Sequence, residues 1–132
     1  MSMQDHKGFT LIEVMITVVI VGILASIAYP SYTSFITKSG RSEGTAAVLR
    51  VANLQEQYYI DNRVFAEDMT DLGMSAEPFL TENGYYSVDS VGTTTYTITA
   101  TAKGRQATLD STCGTITLTA AGVKGTSKEC WK

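Results

Sequence analysis

From Phe9 to Tyr29 the chain is mostly apolar and carries one charge, the acid Glu13, and the dipeptide Lys7-Gly8 stands immediately before it. These 21 residues, rising 1.5 Å each, would form a helix about 30 Å long, the hydrocarbon thickness of a bilayer. A secretory signal peptide would place a small-residue exit site after its apolar run. Ala25, Ser26 and Ala28 are small, but Tyr29 and Pro30 follow them and disfavour cutting there. The obvious processing point is Gly8, ahead of the run, and cutting there leaves the hydrophobic helix at the new N-terminus. That order suits a protein held in the membrane until it is polymerised. Lys7 is expected to stay on the cytoplasmic side, which puts everything after Tyr29 outside. Lys38 and Arg41 flank the far end, so the short leader rather than charge counting decides the orientation.

The heptapeptide Lys7-Gly8-Phe9-Thr10-Leu11-Ile12-Glu13 resembles the class III signal of the type IV pilins and their secretion-system relatives. The resemblance implies that Gly8 precedes the prepilin peptidase cut and that Phe9 becomes the N-methylated first mature residue. It also implies that Glu13 is the buried assembly acid and that Gly22 and Pro30 are helix-breaking positions. Tyr58-Tyr59, Glu82-Asn83-Gly84-Tyr85-Tyr86, Tyr96-Thr97-Ile98-Thr99-Ala100 and Cys113-Gly114-Thr115-Ile116-Thr117-Leu118 extend it toward minor pilins of the PilE type. An α+β fold is implied, with a long N-terminal helix packed on a small antiparallel β-sheet, the type IV pilin fold. Four segments are expected: a cleaved leader at 1–8, a transmembrane and filament-core helix at 9–29, an amphipathic helix at 30–62, and a globular head at 63–132. The implied partners are other pilin subunits, prepilin peptidase and the inner-membrane assembly machinery. The implied location is the inner membrane, single pass, and then the extracellular pilus. Minor pilins of this type prime assembly or join the filament sparsely, supporting twitching and adhesion.

Physical chemistry gives these positions independent meaning. A carboxylate at the depth of Glu13 costs roughly 2.5–3.5 kcal/mol on insertion scales, and such a residue calls for a partner. Cleavage at Gly8 would create an α-amine on Phe9, and methylation would keep its positive charge. The Glu13 carboxylate of one subunit could then neutralise the Phe9 terminus of a neighbour, with desolvation strengthening the pair. The plainer alternative is that Glu13 only stabilises its own helix N-terminus. Pro30 cannot bond back to Ser26, and Gly22 lowers the cost of leaving the helix, whether as a break in the filament or a kink near the membrane surface.

Beyond Ser31, Ala47, Val51, Leu54 and Tyr58 recur at the spacing of one helical face, widened by Val48 and Ala52. Arg50, Gln55, Glu56 and Gln57 are assigned to the polar side. Gly40 and Gly44 each weaken a helix by about 1 kcal/mol, so the rod is expected to bend. Residues 63–83 read as a connecting loop with one short helical turn. Strands are expected at 85–91, 94–102 and 115–120. In the second of these, Tyr96, Ile98, Ala100 and Ala102 face one way and threonines the other. The sum is an antiparallel sheet of three or four strands with a threonine-rich outer face.

The formal net charge is -3, but it is unevenly spread. From Glu43 to Asp89 nine acids face Arg50 and Arg63; from Lys103 to Lys132 five bases face Asp110 and Glu129. The two regions are either ordinary solvated surfaces or complementary patches that steer subunits together. Cys113 and Cys130 are the only cysteines. Outside the cytoplasm an oxidised pair is the economical reading. Two free thiols or half a metal site is the alternative, disfavoured because no third soft ligand exists in the mature chain.

Catalysis is not expected. The single histidine, His6, lies in the leader. Glu67, Asp68 and Asp71 look like a solvated cluster rather than a paired acid and base, and they match no calcium-cage spacing. No cofactor, metal or nucleic-acid partner is expected: Tyr85, Tyr86 and Tyr96 lack the dense basic groove that a stacking platform uses. Three other readings remain beside the minor pilin: a major pilin, a type II secretion pseudopilin, and a membrane-anchored periplasmic binding module that never polymerises. The last leaves Glu13 unexplained.

Overall fold

Helix α1, Leu11–Asn62, is 52 residues long, and Thr10 starts it. Its hydroxyl accepts the Glu13 N–H at 3.3 Å and its carbonyl accepts the Val14 N–H at 3.2 Å, which satisfies donors that a first turn otherwise leaves unpaired. The computed structural model describes residues 7–132 and divides into two compact units, one ending at Phe35 and one running from Ile36 to Lys132. The leader residues Met1 to His6 lie outside the described residues.

In the first unit α1 is apolar and exposed, long and apolar enough by length and composition to cross a membrane. Its few hydroxyls are turned onto its own backbone: Thr17 donates to Glu13 O at 2.8 Å, Ser26 to Ile23 O at 2.6 Å, and Thr33 to Tyr29 O at 3.0 Å. Each thereby satisfies its own hydroxyl within the helix. The helix runs unbroken through Gly22 and Pro30.

In the second unit the remaining length of α1 buries Gly40, Gly44, Val48, Val51 and Gln55. Ala47, Ala52, Leu54 and Tyr58 are only partly buried against the same core. Val48 and Val51 of the predicted stripe are in the seam, but it is displaced from the rest of that stripe, and Gln55 corrects the reading. Gln55, assigned to the polar side, is fully buried. Its amide nitrogen donates to Ala66 O at 2.7 Å and to Ser90 Oγ at 2.8 Å, while its oxygen accepts the Ala66 N–H at 2.8 Å. A buried amide with both donors and its oxygen hydrogen-bonded costs little, and here it pins the chain reversal after the helix. Gly40 and Gly44 serve close approach. A Cβ at Gly40 would stand 2.2 Å from Gln106 Oε1, and one at Gly44 would stand 2.9 Å from the Tyr86 ring.

The sheet has five strands in the order β1-β2-β3-β4-β5, all antiparallel: β1 Phe79–Leu80, β2 Tyr86–Val91, β3 Thr97–Ala102, β4 Thr115–Thr119 and β5 Lys124–Gly125. Ile98, Ala100, Ile116 and Leu118 are buried and the alternate threonines are not, as period-two alternation requires. The two edge strands escape a periodicity search because each has two residues. Helix α2, Gly104–Leu109, is also unexpected from sequence, where Gly104 reads as punctuation. Six residues are too few for a self-supporting helix, and α2 is held from outside, by Gln106 against α1. Phe65 ties the reversal to the sheet, stacking on Tyr59 at 4.8 Å and meeting Tyr96 edge-on at 4.7 Å.

Candidate functional site

Two regions of the sequence promise function, the Lys7-to-Glu13 motif with Gly22 and Pro30, and the Cys-bounded C-terminal loop. In the first, Gly8 and Phe9 precede the helix and are exposed, Phe9 at 85%. A Cβ built at Gly8 or at Gly22 meets nothing within 4 Å. Nothing inside the described chain therefore demands glycine at either place. Glu13 lies in the first turn of α1 and is exposed. Its backbone N–H is taken by Thr10 and its carbonyl by Thr17, but among the described residues its carboxylate has no hydrogen-bond or ion-pair partner. The Thr10-x-x-Glu13 spacing is that of a capping box, of which only the half from Thr10 is made.

The Cys-bounded loop is built from the other end of the chain. Cys113 and Cys130 form a disulfide, their Cα atoms 5.6 Å apart. Between them run β4, a tight turn and β5, and the segment closes on a 3-10 turn, Lys128–Trp131, whose Ser127 hydroxyl accepts the Glu129 N–H at 3.3 Å. Trp131 packs against the core and its indole N–H donates to Gly125 O at 3.1 Å.

A polar group under this loop, not evident from sequence, fixes it to α1. Arg41 donates from Nε to Asp110 Oδ2 at 2.9 Å and from Nη2 to Asp110 Oδ1 at 2.7 Å, the two-pronged geometry of guanidinium on carboxylate. A third donor, Nη1, reaches Glu129 O at 3.5 Å. The hydrogen bond to Asp110 raises the Arg41 pKa above its ordinary value. Gln106 Nε2 donates to Thr37 O at 3.1 Å and to the Tyr86 hydroxyl at 3.3 Å. Burial, foremost, pushes the Tyr86 pKa up. Nearby, Glu43 accepts from Thr81 Oγ1 at 2.8 Å, Asn83 N at 3.0 Å and Asn83 Nδ2 at 2.7 Å, tying down the β1–β2 turn. No periodicity announces these pairs, because the partners stand 69 and 38–40 residues apart.

Tyr85 is 38% exposed, whereas most of the remaining candidates are occupied by structural tasks. Tyr86 and Tyr96 are buried, and Tyr96 hydrogen-bonds Glu56 at 3.2 Å. Burial and then Glu56 push its pKa up to about 12. Neither ring can stack on a ligand. Asp68 accepts the Thr70 N–H at 2.8 Å, which caps a 3-10 turn; the Thr70 hydroxyl foremost, and then that N–H, lower its pKa. Glu67 accepts the Gly92 N–H at 3.2 Å. Among the described residues no three His, Cys, Asp or Glu side chains come together as a metal site.

Comparison with known proteins bears on both regions. Residues 30–117 match a family model described as "Type IV minor pilin ComP, DNA uptake sequence receptor", and residues 3–29 match the prokaryotic N-terminal methylation motif. The chain is 40% identical over 106 residues to the fimbrial protein EcpC of Eikenella corrodens, covering 78% of this chain and 67% of that one. It is 36% identical to the type IV major pilin protein PilE1 of Neisseria gonorrhoeae, over 55% of this chain and 44% of that one. It is also 36% identical to the type II secretion system core protein G of Vibrio cholerae, over 57% and 50%. The chain thus spans about two thirds of the first relative and about half of the other two. In fold it is similar to a type IV pilin from Shewanella oneidensis, with a TM-score of 0.56 and 20% identity over 73% of this chain and 98% of that one.

Proposed function

This chain belongs to the type IV pilin family, and we propose that within it the protein is a minor subunit of a type IV pilus. The family is one of structural subunits, not enzymes, and an N-terminal apolar helix behind a methylation motif is consistent with membrane anchoring and pilus assembly. In our reading prepilin peptidase cuts after Gly8, Phe9 is N-methylated, and residues 9–29 stay in the inner membrane until the subunit is drawn into the filament. There the Glu13 carboxylate of one subunit neutralises the Phe9 amine of its neighbour. Such a pair selects the register of helix on helix, because a buried charge left alone is far costlier than one that is met. The segment between Gly22 and Pro30, helical in the free chain, gives up hydrogen bonds when packed. Joined sparsely or used to prime assembly, the subunit supports twitching and adhesion.

The minor-subunit reading is supported by the match of residues 30–117 to a minor pilin model, and the pairing by the carboxylate of Glu13, which has no partner among the described residues of its apolar helix. Glu13→Ala is expected to be inserted and cleaved like the parent chain yet to be missing from sheared filaments. Normal incorporation would end the pairing idea. Gly8→Arg is expected to remain uncut, read by the mobility of the membrane-bound chain. Counting the protein in purified filaments separates a minor from a major subunit.

Two observations favour neighbouring readings. The likeness to the Vibrio cholerae secretion protein supports a pseudopilus, and deleting the gene while scoring surface pili, twitching and protein secretion distinguishes the two. The wording of the matched family model supports a receptor for DNA, which retention of labelled duplex by the full chain in detergent would test.

A further inference from the structure

The chain has three asparagines, Asn53, Asn62 and Asn83, and only the last precedes a glycine. That order matters chemically. The backbone nitrogen after an asparagine can attack the side-chain carbonyl carbon, and glycine, having no Cβ, screens that nitrogen least. Asn83 is exposed, in the turn between β1 and β2. Gly84 has a φ of +72°, which glycine adopts freely, and a Cβ built there would meet nothing within 4 Å. Nothing in the fold crowds this pair.

Hydrogen bonds hold the reacting atoms in place. The Gly84 N–H donates to Thr81 O at 2.8 Å. Asn83 Nδ2 donates to Glu43 Oε1 at 2.7 Å, and the Asn83 backbone N–H donates to the same oxygen at 3.0 Å. The second Glu43 oxygen accepts the Thr81 hydroxyl at 2.8 Å, and that hydroxyl accepts the Tyr86 N–H at 3.2 Å. One carboxylate on α1 thus holds the whole turn and, through Thr81, the start of β2, by bonds to a charged acceptor, which are the stronger kind. The bond from Nδ2 requires a donor at position 83. An acid there would set its charge against Glu43, in a cleft lined by Glu43 and Glu82 against Arg50.

We propose that Asn83-Gly84 is a self-modification site: it deamidates when the turn parts from α1, Glu43 guards it while the turn is closed, and the product keeps the turn open. The Gly84 nitrogen bonds to Asn83 Cγ, the bond from Cγ to Nδ2 breaks, and the amide nitrogen leaves as ammonia, carrying the Gly84 proton. Water then adds to the cyclic imide at either carbonyl and leaves aspartate or isoaspartate. Water is the sole co-reactant, and nothing is oxidised or reduced. A negative charge where a donor stood turns a clamp into a repulsion, so the opening that admits the reaction is made permanent by it. The proposal does not depend on the filament-subunit reading.

The full-length chain in detergent, aged at neutral and at mildly alkaline pH and mapped by peptide mass, tests this. The mass gain of an amide turned into an acid is expected at Asn83 and not at Asn53 or Asn62, and faster in alkali, because the Gly84 nitrogen must shed its proton to attack. Glu43→Ala is expected to speed it about tenfold or more, the weight of hydrogen bonds to a charged acceptor. Asn83→Gln, whose longer side chain closes the ring poorly, is expected to stay unmodified over the same period. Asn83→Asp is expected to speed hydrogen exchange at the Gly84 amide while leaving that of Ala66 unchanged, an effect that added salt diminishes by screening exposed like charges. Modification at the other asparagines instead, a rate that Glu43→Ala leaves unaltered, or an Asn83→Asp chain whose Gly84 amide exchanges as slowly as the parent's would overturn the proposal. Should Glu43→Ala not fold, the parent chain aged with and without urea still decides: a guarded site is modified faster when unfolded, and equal rates refute the guard. None of these readouts involves filaments, so their failure leaves the pilus reading untouched.

Discussion

At single residues, the described structure reverses the usual meaning of several side chains. Gly44 sits mid-helix, where alanine would ordinarily gain about 1 kcal/mol, yet its missing Cβ is the space that the buried Tyr86 ring fills. Gly44→Ala is expected to destabilise the head by about 1–3 kcal/mol through overpacking. Gly22→Ala, with nothing near it, is expected not to destabilise it; urea unfolding of the two variants in one detergent compares them. Glu77 is exposed as a residue, but its carboxylate oxygen is turned inward onto the Met69 N–H. Burial of its carboxyl, followed by the Asp89 carboxyl, pushes its pKa from an ordinary 4.5 up to about 7. The folded value lies above the unfolded one, so the stability it contributes is complete below about pH 4.5 and is lost as pH rises through about 7. Asp68, shifted down, acts oppositely and only in acid. Glu77→Gln should therefore flatten the fall in melting temperature between about pH 5 and pH 8; an undiminished fall would assign it to another group. The motif at Gly8, Phe9 and Glu13 was legible from the sequence because its chemistry is local. The roles of Gln55, Gly40 and Gly44 were not, since each is defined by a group at least 11 residues away.

At the level of elements, periodicity recovers what is long and repetitive. The threonine-alternating strands β3 and β4 and the second half of α1 were readable for that reason. Strands β1 and β5 and helix α2 have two, two and six residues and exist only because neighbours hold them. Helix α2 is the clearest case, joined to α1 through Gln106 and, just past its end, through Arg41 and Asp110. Asp110 is 3% exposed in the pair, so losing its cation leaves a buried charge unmet. Arg41→Ala is expected to cost about 3–5 kcal/mol, and joining it with Asp110→Ala to recover part of that loss. Chemical denaturation of the four chains gives the cycle; a double variant worse than the sum of the singles would mean the two residues do not act as a pair.

For the molecule as a whole, composition foretold a membrane-competent segment and one modest head, and the uneven charge foretold two surfaces of opposite sign. Only the strand order shows that β1 and β5 are the edges of the sheet, because sequence does not fix which strands end up outermost. The same strand order also has a time axis. Gln55 closes on Ala66 across 11 residues, whereas Arg41 meets Asp110 across 69. Short closures precede long ones because less chain must be confined. The helix reversal is thus expected to gain protection from hydrogen exchange first and the segment beyond Asp110 last, as pulse labelling during refolding would show; simultaneous protection would refute the order. The Arg41–Asp110 pair then acts as a clock as well as a clamp: a newly made chain ties its Cys113–Cys130 end to the helix only after the rest of the head is finished.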